Sequence, residues 1–226
     1  MCSRVRILAA SVIAVGLVSA QALRGQAPQG AHDAHRLHGD SAAYIAALED
    51  PKRDAYQKPQ DVVAALALKP GEIVADIGAG SGYFALRLAP HVGASGHVYA
   101  VDVSPEMIRR MNQRIRDAKL LNVSTILAAP NDPLLPQPVD RFLFVNVWHH
   151  IEDRPGYLTL VRRLLKPGGQ IVMIDFHKKD LPVGPPASMK IAREDLVVEM
   201  KKGGFAVARE HTILPYQYFL IFQAQE

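Results

Sequence analysis

The sequence predicts an α/β fold in which seven strands alternate with helices. Three observations predict it. Apolar runs of β type recur from residue 73 onward, separated by stretches whose apolar residues keep helical spacing. The first run passes through a glycine-rich turn directly into a helical repeat, an arrangement that aims backbone N–H groups at a ligand. The first two strands each end in a carboxylate, Asp76 and Asp102, and ligands of open α/β sheets bind outside the carboxyl ends of the strands.

At 226 residues the chain has room for one α/β domain and an appendage. A hydrophobic content of 49% with mean hydropathy +0.02 is ordinary for a soluble protein and enough for a real core. Part of the net charge of +4 comes from Arg4 and Arg6 near the N-terminus, so it argues little for an acidic partner, and no nucleic acid is expected. The single cysteine, Cys2, excludes disulfides, zinc–cysteine sites and a catalytic thiol in the body of the chain.

Residues 1–22 read as a targeting segment. Arg4 and Arg6 make a basic start, the apolar run 7–18 is short for a bilayer span, and Val18-Ser19-Ala20 and Ala20-Gln21-Ala22 both suit a signal peptidase. The chain is expected to be exported, or to touch a membrane only if the leader is an uncleaved anchor. Residues 23–56 are expected to be a linker and an N-terminal helix, and 57–226 the main domain. In the linker, His32, His35 and His38 lack a carboxylate or cysteine set to complete a metal site, and no metal is expected.

Ser41 is placed to start a helix over 41–49, which Pro51 ends. A helix over 60–68 follows, and Lys69-Pro70-Gly71 turns into a strand over 73–77. That strand runs into Asp76-Ile77-Gly78-Ala79-Gly80-Ser81-Gly82-Tyr83-Phe84. A dinucleotide fingerprint asks for G-x-G-x-x-G. Here Gly78, Gly80 and Gly82 alternate, and Tyr83 takes the place of the third dinucleotide glycine. A carboxylate two residues before the first glycine repels a pyrophosphate but suits a ligand carrying positive charge. The pattern resembles motif I of the class I S-adenosylmethionine (SAM)-dependent methyltransferases, written there as acidic-x-G-x-G-x-G.

The next strand, over 97–102, ends in Asp102, where an acidic side chain is placed to accept from ribose hydroxyls. Ser104 caps a helix over 105–119. Its Arg109, Arg110, Arg114 and Arg116 alternate with Met107, Ile108, Met111 and Ile115, so the arginines form the wet face of an amphipathic helix. A strand over 123–129 leads to Asn131-Asp132, and a strand over 140–147 leads to Asn146-Val147-Trp148-His149-His150. His149 or His150 suits a general base, and the alternative is that one histidine packs beneath the next helix. Glu152 and Asp153 fit a helix start with Pro155 inside it; the helix over 157–165 is stopped by Lys166-Pro167-Gly168-Gly169, and a strand over 170–176 follows. Asp175 and His177 are expected to face the cleft together. The proline-rich stretch 178–186 either lids an acceptor pocket or simply connects. A helix over 193–202 and strands over 205–211 and 216–222 complete the chain.

The resemblance covers residues 57–222 and is strongest to the small-molecule, type-11-like members of the family. It implies a Rossmann-like, seven-stranded, mostly parallel sheet with an antiparallel terminal strand, and SAM as cofactor. It places Asp76 near the methionine ammonium or the loop, and gives Gly78, Gly80 and Gly82 to close backbone approach. It gives Asp102 to the ribose, Asn131 or Asp132 to the adenine amino group, and sets Asn146 beside the sulfonium. Helices ahead of the first strand often cover the cofactor in that family, which brings Arg53, Tyr56 or Gln57 toward its methionine end; the alternative is a surface turn. The Asn/Asp-Pro-Pro-aromatic motif of the DNA amino-methylating members is absent, which argues against a nucleobase amino group; the stretch from His149 through Gly169 resembles members that act on small molecules, and the acceptor is otherwise unidentified. Two rival readings remain. A non-catalytic exported protein retaining the fold is suggested by the leader, because SAM is a cytosolic metabolite. A nicotinamide-dependent oxidoreductase is disfavoured by the glycine spacing.

Overall fold

A computed structural model describes residues 41–225. The leader expected over 1–22 and the histidines His32, His35 and His38 lie outside them. Helix α1 (Ser41–Glu49) leads through a 3-10 turn (Pro51–Arg53) into the short α2 (Asp54–Gln57) and α3 (Pro59–Leu66). The alternation then begins: β1 (Ile73–Ile77), α4 (Ala85–Val92), β2 (His97–Asp102), α5 (Pro105–Asp117), β3 (Val123–Leu127) and β4 (Val139–Val145). After a 3-10 turn (Trp148–His150) come α6 (Arg154–Leu164), β5 (Leu165–Phe176), α7 (Arg193–Lys202), β6 (Phe205–His211) and β7 (Gln217–Ala224).

The seven strands form one sheet in the order β3-β2-β1-β4-β5-β7-β6. β1 to β5 are parallel, and β7 runs antiparallel between β5 and β6. This is the predicted Rossmann-like α/β architecture with its antiparallel terminal strand. Side chains alternate across the sheet, as the period of two requires. Val74, Val98, Leu143, Val172 and Phe219 point to the face covered by α3, α4 and α5. Ala75, Tyr99, Phe142, Met173 and Tyr218 point to the face covered by α6 and α7. Helix α5 buries Met107, Met111 and Ile115, one apolar stripe at four-residue spacing; Arg109 is exposed, but Arg110 and Arg114, expected on the wet face, are half-buried, paired with Glu49 and with the Ser81 carbonyl.

The order of β1 and β4 positions the site. Neighbouring β1 carries its crossover to β2 on one side, while β4 lies on the other, so the strand order reverses between β1 and β4. A crevice opens at such a switch point, at the carboxyl ends of the strands.

Several boundaries differ from expectation for local reasons. β4 ends at Val145, because Asn146 adopts a left-handed φ of +56° that strands do not continue through. β3 ends at Leu127, and the chain folds back so that Ala129 bridges Asp132. Helix α6 starts at Arg154, at the helix start expected from Glu152 and Asp153, where Asp153 accepts from the Gly156 N–H at 3.0 Å. The stop expected over 166–169 is a register shift inside β5: Val139 pairs with Leu165 but Arg141 with Gln170. Among the described residues no helix is long and apolar enough to cross a membrane.

Candidate active site

A cavity of about 620 Å³ occupies the crevice. Its floor is Gly78, Ala79 and Gly80 after β1, the stretch from Asp102 to Ser104 after β2, and Ala128 to Pro130 after β3. Its far end is Asn146, Val147 and His150 after β4. Tyr44, Leu48, Arg53 and Tyr56 wall it from the N-terminal segment, and Phe176, Val183 and Gly184 close it from the other side.

The glycine loop has physical reasons for its composition. Gly78 and Gly80 hold φ of +66° and +58°, a region costly for residues with a Cβ. A Cβ on Gly78 would also lie 2.3 Å from Val147 Cγ2. Gly82 does not line the cavity; it closes the turn against α4 and α5, where a Cβ would stand 2.5 Å from Leu86 Cδ1. The loop is held by the Ala79 N–H donating to the Val101 carbonyl at 2.9 Å and the Gly80 N–H donating to Asp102 Oδ2 at 2.8 Å. Asp102 Oδ1 accepts from the Ser104 N–H at 2.9 Å. Asp102 thus joins the loop to the start of α5 while lining the cavity, and burial pushes its carboxyl above the usual range.

Asp76 lies beneath the loop and is 2% exposed. Its carboxyl accepts from the Ala85 N–H at the start of α4, and its Oδ2 has no hydrogen-bond partner. Burial raises its pKa from 3.8 to about 7; the neighbouring Arg53 guanidinium works in the opposite direction. Arg53 is itself pinned. Its guanidinium lies 4.0 Å from the Tyr83 ring centroid, where Arg87 also stacks at 4.2 Å, and its Nη1 donates to the Leu48 carbonyl at 3.1 Å. The Tyr83 hydroxyl donates to Asp54, and Glu49 takes a bidentate bond from Arg110 at 2.8 and 2.5 Å. Residues 41–57 are therefore bolted to the loop and to α5.

The two histidines separate. His150 lines the cavity. The His149 side chain is 1% exposed, and its Nδ1 lies 2.8 Å from Asp175 Oδ2. The rings of His149 and His150 are 4.2 Å apart. Asp175 and His177, expected to face the cleft, do not line it. Along the strand the period of two turns Phe176 to the cavity and sends Asp175 to His149. Asn131 and Asp132 do not line it either. The Ala129–Asp132 bridge folds their turn away, and Asp132 Oδ1 accepts from the Leu134 N–H at 2.8 Å. The backbone of Ala128 to Pro130 faces the cavity instead.

Asn146 lines the cavity, and its amide closes a hydrogen-bonded ring with Gln57 and Gln217. Sequence reasoning missed Gln217, Tyr44 and Tyr157. Tyr44 carries a signal that was available: it lies four residues before Leu48, on the same helix face. Among the described residues no group of three or more His, Cys, Asp or Glu is arranged to hold a metal ion.

A family model described as a methyltransferase domain matches residues 68–215. The chain belongs to the methyltransferase domain family. It is similar to the demethylmenaquinone methyltransferase of Listeria welshimeri, with 29% identity over 126 residues, 54% of this chain and 52% of that one. It is also similar to the ubiquinone/menaquinone biosynthesis C-methyltransferase UbiE of Bordetella parapertussis, with 30% identity over 119 residues, 53% of this chain and 46% of that one. The chain thus spans about half the length of these relatives. A crystal structure of a SAM-dependent methyltransferase from Aquifex aeolicus superimposes with a TM-score of 0.75 and 27% identity, covering 81% of this chain and 97% of the other. In this methyltransferase domain Gly78, Gly80 and Asp102 line the cavity, whereas Asp76 and Gly82 lie behind it.

Proposed function

We propose that the chain catalyses SAM-dependent methyl transfer to a small, flat, hydroxylated aromatic acceptor. The observation that carries the reading is that one cavity includes both the glycine loop and His150. The residues present fit the cofactor. The positive-φ glycines leave a cradle that a Cβ would fill, and the Asp76 oxygen without a partner lies beneath it, beside Arg53. A zwitterionic amino-acid group matches that pair, with its ammonium toward Asp76 and its carboxylate toward Arg53. Asp102 would hold the ribose, and the Ala128–Pro130 backbone would take the base.

When bound, SAM supplies a methyl group already activated on a sulfonium, so alignment of two ligands is the main demand. Asn146 and Val147 bound the transfer end of the cavity. Tyr56 and Phe176, with ring centroids 6.2 Å apart, offer aromatic surface to a flat acceptor. The names of the Listeria and Bordetella relatives support a quinol-type ring. A ring nitrogen of His150 takes the acceptor hydroxyl proton, which makes the acceptor nucleophilic, and the surrounding apolar wall excludes water. His149, held by Asp175, backs the His150 ring.

The basic-then-apolar leader supports the further reading that the chain is exported, or tethered to a membrane if the leader stays. N-terminal sequencing of protein recovered from its host decides between a start near Leu23 and an intact leader.

Isothermal titration of the chain with SAM and with S-adenosylhomocysteine tests the central reading. Micromolar binding of both, weakened at least tenfold by Asp102→Ala, is the expected result. No binding at millimolar ligand would remove the methyltransferase activity from the proposal.

A further inference from the structure

We infer that Gln57 and Gln217 are positioning residues, which with Asn146 form a three-amide latch that orients Asn146 and fastens residues 41–57 over the cavity. Gln57 Nε2 donates to Gln217 Oε1 at 3.1 Å, Gln217 Nε2 to Asn146 Oδ1 at 2.6 Å, and Asn146 Nδ2 to Gln57 Oε1 at 3.3 Å. The bonds run head to tail, so each amide uses one donor and one acceptor and the ring closes. Gln57 and Gln217 are 0% and 1% exposed and do not line the cavity, whereas Asn146 does. The three residues come from α2, the exit of β4 and the first position of β7.

A closed ring of amides has a polarity. Turning Asn146 over alone would set its oxygen against the Gln57 oxygen and its nitrogen against the Gln217 nitrogen. The ring therefore reverses only if all three amides turn together. The Asn146 backbone is fixed as well, by its left-handed φ and by its N–H donating to the Ile174 carbonyl at 2.9 Å. The remaining N–H and lone pair of Asn146 are thus presented to the cavity in one orientation.

The latch also ties this orientation to closure. Gln57 directly follows Tyr56, and Tyr44, Leu48, Arg53 and Tyr56 make the N-terminal wall. Lifting that wall pulls Gln57 out of the ring and leaves the donor on Asn146 and the acceptor on Gln217 to water, which holds Asn146 in no fixed orientation. Closing the wall and orienting Asn146 are one event. A ligand that fits the closed cavity therefore stabilises both, and the transfer end is assembled only when the cavity is shut.

This inference deepens the methyltransferase reading, but its first test does not depend on it. Hydrogen exchange of the full chain, read by mass spectrometry, compares wild type with Gln217→Met and Gln57→Met, which keep volume but remove the amide. Without ligand, amides over 42–57 are expected to exchange at least fivefold faster in both variants, while those over 74–77 and 171–176 keep wild-type rates. Affinity for S-adenosylhomocysteine is expected to fall at least threefold in Gln217→Met, although Gln217 touches no ligand. Unchanged exchange over 42–57, or equal acceleration throughout the sheet, would overturn the latch and leave the ring as core packing. If Gln217→Met fails to fold, Asn146→Asp serves: it accepts from Gln217 but cannot donate to Gln57, and must loosen 42–57 in the same way. If wild type binds no S-adenosylhomocysteine, the cofactor reading falls, and the ligand-free exchange still decides the latch.

Discussion

Gly78 and Asp76 show how much a single residue settles. Gly78→Ala puts a Cβ 2.3 Å from Val147 and forces a left-handed φ on a residue that resists it. Strain of that kind costs about 1–3 kcal/mol. A lowered denaturation midpoint and loss of S-adenosylhomocysteine binding by titration are the expected results. Asp76 makes a prediction about pH. With its pKa raised from 3.8 to about 7, the folded chain keeps a proton between those values that the unfolded chain has lost. Stability therefore falls as pH climbs through that window and levels off above it. Asp76→Asn carries no charge at any pH, so its stability relative to wild type should rise from pH 4.5 to pH 7.5, by urea denaturation. A flat difference would put the Asp76 proton elsewhere. At this scale the glycine loop and the two acidic strand ends were legible because their chemistry is local. Gln217 was not, because its partners stand 71 and 160 residues away. The expected roles of Asn131 and Asp132 rested on the family resemblance and their place after a strand, and a four-residue turn was enough to take both off the cavity.

Among the elements, the segment from α1 to α2 changes most in meaning between sequence and structure. Its helix was readable from Ser41 and Pro51, but nothing in its own pattern says what it packs on. Its anchors are Arg110 on α5, Tyr83 in the loop and the buried amide ring, all distant in sequence. Strand and helix order, by contrast, followed from periodicity, and apart from the short α2 mainly ends moved, as at Asn146, where one left-handed residue stops a strand. The segment's role predicts a separation between two ligands. Arg53, on the 3-10 turn, is matched to the carboxylate of the cofactor's amino-acid group. Arg53→Met should weaken S-adenosylhomocysteine about tenfold, or about 1.4 kcal/mol, and leave 5′-methylthioadenosine, which lacks that group, unchanged. Equal losses for both ligands by titration would assign Arg53 to holding the wall through Tyr83 instead.

The whole molecule joins these pieces through one sheet. Both apolar cores share its strands, and residues 41–57 are fixed to the strand ends, so the wall, the loop and the cores belong to one cooperative unit. A ligand that binds only the closed cavity must then stabilise the entire fold. At a ligand concentration one hundred times the dissociation constant the gain is about 2.7 kcal/mol. For a chain of this size, each kcal/mol moves the melting midpoint by about 2–4 °C. S-adenosylhomocysteine at that concentration should therefore raise Tm by roughly 5–11 °C, measured by calorimetry as a single transition. The Gln217→Met chain, at the same ligand concentration, should gain less, because part of its binding energy goes into docking a wall that is already shut in wild type and its dissociation constant is correspondingly weaker. Two separate transitions, with only one moved by ligand, would mean that the N-terminal wall folds apart from the sheet it covers.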